Sequence, residues 1–356
     1  MKNKIKIAVI GCGGISRVAH MPHYMKLKDD FEVVAVCDII EERAENFSKE
    51  FGVPAYYTDY KEVLNIEGLE AVDICTPNYL HSIIAVDALN KGLHVLCEKP
   101  DAVSVEEATK MKNAAEANGK LLMVIRNNRF ISHMNYLKKY VDDGNCGKIY
   151  AARCGWQRRR GVPGKGGWFT TKAQSGGGPL IDLGVHMIDV TMWLMGNPKP
   201  VSVSGCTYCE FAKSKVSDSA NAAFGDRKDG GAFDVEDLAM GFIRFDNGAC
   251  MQIEFSWASN IQQEDKFFEV RGTKAGASYH TTDNQLKIFT EQYGRTMDLF
   301  PNLPNNGNGH HDNIRNFADA IRGDAAPLYT PEQGLNMIKI LEAIYESAKT
   351  GREVIL

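Results

Sequence analysis

Three ionisable residues stand where an apolar element would ordinarily carry none. Lys99 follows the run Leu93-His94-Val95-Leu96-Cys97 inside the segment Glu98-Lys99-Pro100. Asp182 and His186 interrupt Gly176-Gly177-Gly178-Pro179-Leu180-Ile181-Asp182-Leu183-Gly184-Val185-His186, which leads into a largely apolar stretch ending at Met195. Unpaired buried charge costs on the order of several kcal/mol, so such groups imply partners or a cavity. Four residues apart on a helix, Asp182 and His186 share one face, and Asp189 and Trp193 continue the stripe. A carboxylate there can hold one tautomer of the imidazole and leave its second nitrogen to exchange a proton. An ammonium at the strand end can stabilise alkoxide character on a hydroxyl. Pro100 admits a cis bond, which would set where Lys99 points. Together these groups suit proton transfer at a hydroxyl while it is oxidised.

The N-terminal segment supplies an oxidant to match. Gly11-x-Gly13-Gly14-x-Ser16 follows the apolar run Ile5–Ile10 directly and opens a helix pattern. Glycines at these positions allow a tight turn and let backbone N–H groups, that of Ile15 among them, approach a pyrophosphate. Asp38 ends the next apolar run, where a carboxylate accepts hydrogen bonds from adenosine ribose hydroxyls and repels a 2′-phosphate. Ile39-Ile40 follow it in place of a basic pair, so NAD is expected in preference to NADP. Thr76-Pro77-Asn78 ends the next apolar strand, where such sheets bind ligands, and His81 stands three residues into the following helix.

The elements that must position these groups fall into two grammars. From 5 to 125, near-continuously apolar strands (Ile5–Ile10, Glu32–Cys37, Ala71–Cys75, Leu93–Cys97, Leu121–Ile125) alternate with helices. Capping boxes at Asp59-x-x-Glu62 and Ser104-x-x-Glu107 open helices, and Gly52, Gly92 and Gly119 close them. This alternation specifies a doubly wound parallel sheet. From 126 to 356 hairpins appear, clearest at Leu238–Phe245, Asp246-Asn247-Gly248 and Ala249–Trp257, which predict an open, mainly antiparallel sheet. The Gly178–Met195 helix interrupts it, and helices near Asp312–Arg322 and Pro331–Lys349 close the chain. Loops are expected at 225–231 and 302–309. The fold class is α/β: a Rossmann domain over 1–125, then an α+β domain over 126–356 whose last helices pack back toward the first.

Composition narrows the partners. The chain has 356 residues, a net charge of −4 and nine scattered cysteines, which offers no electrostatic case for nucleic acid or an anionic membrane surface. Cys206-x-x-Cys209 sits in an alternating strand pattern without a second pair and reads as strand; no metal is expected. Residues 1–4 carry no targeting signal and no run is long enough to span a bilayer, so a cytoplasmic protein is expected.

Over its whole length the chain resembles the glucose–fructose oxidoreductase, inositol 2-dehydrogenase and rhizopine-catabolism (Gfo/Idh/MocA) family. The resemblance rests on the Gly11 turn, Thr76-Pro77-Asn78-x-x-His81, Glu98-Lys99-Pro100, the triple glycine with Asp182-x-x-x-His186, and Ala343-Ile344-Tyr345-Glu346-Ser347-Ala348. It implies reversible oxidation of a sugar or polyol hydroxyl, with Lys99, Asp182 and His186 at the catalytic positions and a homo-oligomer, dimer or tetramer, built through the second sheet. The cofactor is expected against Gly11, Gly13, Gly14, Ile15, Asp38, Thr76, Pro77, Asn78, His81, Glu98 and Lys99. The substrate is expected against Lys99, Arg158, Trp168, Asp182, His186 and His310, with Trp168 stacking on a sugar face and an arginine of the Arg153–Arg160 stretch binding a carboxylate or phosphate. His20 and His23 read as structural. Two other readings share these residues: an NAD-dependent glycosidase that oxidises a ring hydroxyl transiently, and a non-catalytic NAD-sensing regulator.

Overall fold

The computed structural model describes residues 3–216, 224–304 and 309–356. Strands β1 (Ile5–Ile10), β2 (Phe31–Cys37), β3 (Tyr56–Tyr57), β4 (Ala71–Ile74), β5 (His94–Cys97) and β6 (Leu122–Val124) form a parallel sheet in the order β3-β2-β1-β4-β5-β6. The doubly wound expectation holds, and the order reverses between β1 and β4, the switch point where dinucleotides bind in such sheets. The β1 residues Ile7, Ala8 and Val9 are fully buried, as are Val72 and Ile74 of β4, which is why these strands read as continuously apolar. The helix punctuation works as its chemistry requires. Asp59 accepts from the Lys61 amide, Ser104 accepts from the Glu107 amide, and Gly52 and Gly119 close their helices in the left-handed region.

The second sheet runs β14-β13-β12-β11-β7-β10-β9-β8-β15 among the described residues. Its strands are β7 (Ile149–Gln157), β8 (Pro200–Tyr208), β9 (Leu238–Phe245), β10 (Cys250–Ser256), β11 (Asp265–Gly272), β12 (Ala275–His280), β13 (Gln285–Gln292), β14 (Arg295–Leu299) and β15 (Val354–Ile355). Only β7 and β10 pair in parallel; the other neighbours are antiparallel, as the hairpin signals indicate. Cys206 lies within β8, in keeping with its strand reading. The Asp246-Asn247-Gly248 turn closes as expected, with Asn247 Oδ1 accepting the Ala249 amide and Gly248 at φ +80°.

The chain divides into two compact units, Met1–Asn127 with Asn308–Leu335, and Asn128–Gly307 with Asn336–Leu356. Residues 308–335 thus cluster with the first unit, where the expectation assigned 126–356 to the second domain with its last helices packed back toward the first. The helix Gly309–Arg322 buries Ile314 and Phe317 there, Asn313 Oδ1 accepts the Arg126 amide at 2.7 Å, and Arg322 pairs with Asp30 at 2.6 Å. Of the loop expected over 302–309, residues 305–308 lie outside the described residues. No helix among the described residues is long and apolar enough to cross a membrane.

Candidate active site

In the first unit the glycine turn is shaped by close packing. Gly11 adopts φ +105°, and a Cβ there would stand 2.5 Å from the Cys75 carbonyl oxygen at the end of β4. At Gly13 the same construction meets nothing within 4 Å. No side chain caps the short π-helix Ser16–His20 that follows, where the Ser16 hydroxyl and the Arg17 amide both donate to the Gly13 carbonyl. Asp38 is anchored beside the turn: its carboxylate accepts the Cys12 and Ile40 amides, each at 3.0 Å. Ile39-Ile40 bring no charge to Asp38, but Arg43, in the helix Glu41–Phe51 that follows, brings its guanidinium to 3.8 Å from the carboxylate. Thr76 Oγ1 is buried without a partner at the end of β4. A bare glycine turn, an uncapped helix start, an anchored strand-end carboxylate and an orphaned hydroxyl together fit a dinucleotide.

His81 and Glu98 are placed differently from expectation. His81 is fully buried, with Nδ1 2.7 Å from the Pro100 carbonyl and Nε2 3.0 Å from that of Thr76. It braces the two strand-end segments, and burial lowers its pKa. Glu98 turns its carboxylate inward, Oε1 lying 2.9 Å from His20 Nε2 and 3.5 Å from His310 Nε2 while Oε2 accepts the Lys99 amide at 3.0 Å. On its other side His20 Nδ1 meets Asp73 Oδ2 at 2.7 Å, and Tyr24 donates to the same oxygen. Carboxylates only accept, so both ring nitrogens of His20 carry protons. Burial opposes that charge, but the Asp73 carboxylate overcomes it and holds the His20 pKa well above its ordinary value. Burial would likewise raise the Glu98 carboxyl; hydrogen bonds from His20 and His310 hold it well below the usual range. Donor atoms of His20, Glu98 and His310, and of His20, Asp73 and Cys75, lie within 4.8 Å of one another. A doubly protonated His20 has no lone pair to offer a metal ion. Lys99 thus hangs from a backbone pinned by this network, and its bond to Pro100 is cis.

In the second unit the decisive fact is exposure. From Gly177 to Met195 every residue is buried except Asp182 and His186. Asp182 lies in a π-helical turn, Leu180–Gly184, that leads into the helix Val185–Leu194; such turns recur at functional sites. The glycines before it are dictated by packing. A Cβ on Gly177 would strike Tyr345 Oη, and one on Gly178 the Glu236 carbonyl. Glu236 accepts the Gly178 and Leu180 amides and the Tyr345 hydroxyl, so a carboxylate caps the helix start. Asp182 Oδ2 accepts the indole N–H of the fully buried Trp257 at 3.0 Å. Further along the stripe the role is structural: Asp189 forms a bidentate pair with the buried Arg129, at 2.8 and 2.6 Å.

Trp156, at the end of β7, lies 6.1 Å from the His186 ring between centroids. Arg158 stands 5.1 Å over the Trp156 ring and donates to the Gly161 carbonyl, and burial lowers its pKa against the pull of Asp182 and Glu264. Lys266 lies directly across from Trp156 in the β11–β7 register, with Nζ 4.8 Å over the indole. Burial pushes its ammonium down to about 8. Trp168 stacks on Phe169 at 3.9 Å. Arg153 pairs with Glu269 at 2.6 Å and stands over Phe267, in place of lining a substrate pocket. Trp257, Lys266 and Asp73 went unread as site residues in the sequence, and His20 was read only as structural, though its partners Glu98 and His310 were expected in the site. Only Lys266 left a trace, as a charge beside Phe267-Phe268 in a strand.

A parallel sheet ordered around a glycine turn, joined to a unit whose buried helix leaves only a carboxylate, Asp182, and an imidazole, His186, within reach of solvent, defines a dinucleotide-dependent oxidoreductase. Residues 5–126 match the oxidoreductase family model for an NAD-binding Rossmann fold, and residues 138–356 match its C-terminal alpha/beta domain. The chain belongs to this Gfo/Idh/MocA oxidoreductase family. It is 33% identical over 351 residues to a D-glucoside 3-dehydrogenase of Escherichia coli (strain K12), covering 98% of this chain and 97% of that protein. It is 28% identical to a scyllo-inositol 2-dehydrogenase (NADP(+)) of Bacillus subtilis (strain 168), covering 99% and 96%. Among solved structures, GenD2 from gentamicin A biosynthesis in complex with NAD superposes with a TM-score of 0.78 at 27% identity, covering 100% and 97% of the two chains.

Proposed function

We propose that this protein is an NAD-dependent dehydrogenase that oxidises a ring hydroxyl of a sugar or polyol. The observation that carries the reading is the helix that buries every residue except Asp182 and His186. Gly11, Gly13, Gly14 and Ile15 would hold the pyrophosphate, Asp38 the adenosine ribose, and Thr76, Pro77 and Asn78 the neighbouring part of NAD. When bound, NAD accepts a hydride from the carbinol carbon. His186 takes the hydroxyl proton as neutral imidazole, Asp182 supports the imidazolium that results, and the Lys99 ammonium stabilises alkoxide character on the oxygen. The substrates named for the two relatives, a glucoside and an inositol, support a polyhydroxylated ring.

Nine free cysteines, six of them buried, support a reducing cytoplasm. Exposed Tyr150, Met240 and Phe289 on strands of the second sheet support assembly of like subunits through that sheet. The test is NADH formation with purified protein and NAD across glycosides, aldoses and inositols. NADH should accumulate in step with substrate consumed. Aglycone release without net NADH would establish the glycosidase reading in its place, and no turnover of any member would remove the enzymatic reading.

A further inference from the structure

Around Trp156 the second unit gathers hydrogen-bond donors that have no acceptor to meet. Arg158 is 6% exposed, and its Nε is buried without a partner. Asn128 is 6% exposed; its Oδ1 accepts from Lys266 Nζ at 3.1 Å, which leaves its Nδ2 facing inward, buried and also without a partner. Lys266 itself donates only to that neutral amide oxygen and stands over the indole, with no carboxylate in ion-pair reach among the described residues. Buried donors in folded proteins are almost always satisfied, so a cluster of orphans marks the place of an absent acceptor. Lone orphans can be accidents of packing. Here Arg158 and Lys266 each stand over the Trp156 indole, Asn128 accepts from Lys266, and the indole centroid lies 6.1 Å from that of His186.

The charges facing the cluster set its preference. Lys266 and Arg158 contribute two cations. Asp182, the nearest anion to Arg158 by electrostatic effect, already accepts the Trp257 indole, and Glu264 accepts the Arg159 amide. His133, from the helix Ser132–Asp142, is pushed down to about 4 by burial with Lys266 adding to the effect, so it is neutral near pH 7. What would satisfy this set is an oxyanion with several lone pairs, held by charge-assisted hydrogen bonds.

Resting on the dehydrogenase reading, we propose that Lys266, Arg158 and Asn128 form an oxyanion subsite and that the substrate is a sugar carrying a carboxylate or phosphate group. Trp156 gives the ring an apolar platform, while Lys266 and Arg158 select the anionic substituent. Lys266 is thereby a specificity residue, and it takes no part in the hydride or proton transfer.

The experiment compares kcat/KM for methyl glucuronoside, glucose 6-phosphate and methyl glucoside, which present a carboxylate, a phosphate and no charge. At least one anionic sugar should exceed the neutral one by tenfold or more, and which one does so identifies the oxyanion. Lys266→Met should reduce the anionic-to-neutral ratio by about tenfold to a hundredfold, the loss of one charge-assisted bond, and Lys266→Arg should recover most of it. Calorimetric titration of the same three sugars into NAD-loaded protein separates the two readings. Lys266-dependent binding of an anionic sugar without turnover would sink the dehydrogenase reading and leave the subsite standing. Turnover of neutral sugars with no anionic preference, equal losses on all three substrates in Lys266→Met, or no binding of any anion would overturn the subsite. NADH binding by each variant shows that the protein remains folded.

Discussion

Replacing Glu98 by glutamine tests whether the buried network beneath Lys99 matters as its geometry implies. The carboxylate accepts three donors: His20 Nε2, His310 Nε2 and the Lys99 amide. An amide offers one acceptor oxygen and an NH2 group. If the oxygen faces the imidazoles, the NH2 meets the Lys99 N–H; if it is flipped, the NH2 meets two histidines. The first leaves a donor–donor contact at the Lys99 amide, the second is satisfied only if the imidazoles give up their Nε2 protons, and both deprive the protonated His20 of one of its two counter-charges. Breaking a buried charged pair costs about 3–5 kcal/mol, and for a unit of this size each kcal/mol moves Tm by about 2–4 °C, so a drop of roughly 6–20 °C is expected. The sign of the pH dependence follows from the shifts. Glu98 is held below its ordinary value, so its contribution is full above an unfolded pKa of about 4.3 and is lost as pH falls through the folded value. His20 is held above its ordinary value, so its contribution is full below about 6.5 and is lost as pH rises through the folded value. The difference in Tm between native protein and Glu98→Gln, measured by scanning calorimetry, should therefore be greatest between about pH 4.5 and 6.5 and shrink on either side. A difference under about 2 °C in that window, or one that does not vary with pH, would refute the reasoning.

Four other outcomes follow from the sites. Wild-type protein should use NAD at least tenfold more efficiently than NADP, because a 2′-phosphate would face the Asp38 carboxylate; Asp38→Ser should narrow the gap, with Arg43 already at hand to receive the phosphate, and equal wild-type kcat/KM with both cofactors would contradict this. Lys99→Met should lower kcat by about a thousandfold with NAD affinity kept, as befits loss of charge stabilisation in the transition state; near-normal turnover would remove Lys99 from the mechanism. His186→Asn should flatten the acid limb of the pH–rate profile for alcohol oxidation, and an unchanged limb would assign the base elsewhere. Trp257→Phe removes one hydrogen bond to a charged group, so kcat/KM should fall by about tenfold to a hundredfold, and a loss confined to Tm would make the indole structural.

Much of the fold was legible because it rests on local patterns. Continuous apolar runs marked the strands covered on both faces, glycines with positive φ marked the helix ends, and Asn247-Gly248 marked its hairpin. The catalytic candidates were legible for the same reason: charge on an apolar helix has few explanations, and Asp182 and His186 are the two residues that keep solvent access. Contacts between distant segments were not legible. His20 and Glu98 are 78 residues apart, and Trp257 and Asp182 are 75; only the strand order that sets β4 between β1 and β5, and the pairing that lays β10 beside β7, brings their neighbourhoods together. His310 meets Glu98 because its helix clusters with the first unit; that the last helices pack toward this unit was expected, but not which side chain would face which. Lys266 looks like an ordinary strand lysine until the antiparallel register of β11 on β7 places it across from Trp156. The type and spacing of residues determine which groups resist burial, since that cost is local to each side chain. Which partners relieve the cost depends on topology and register, and these are decided by the packing of the whole chain.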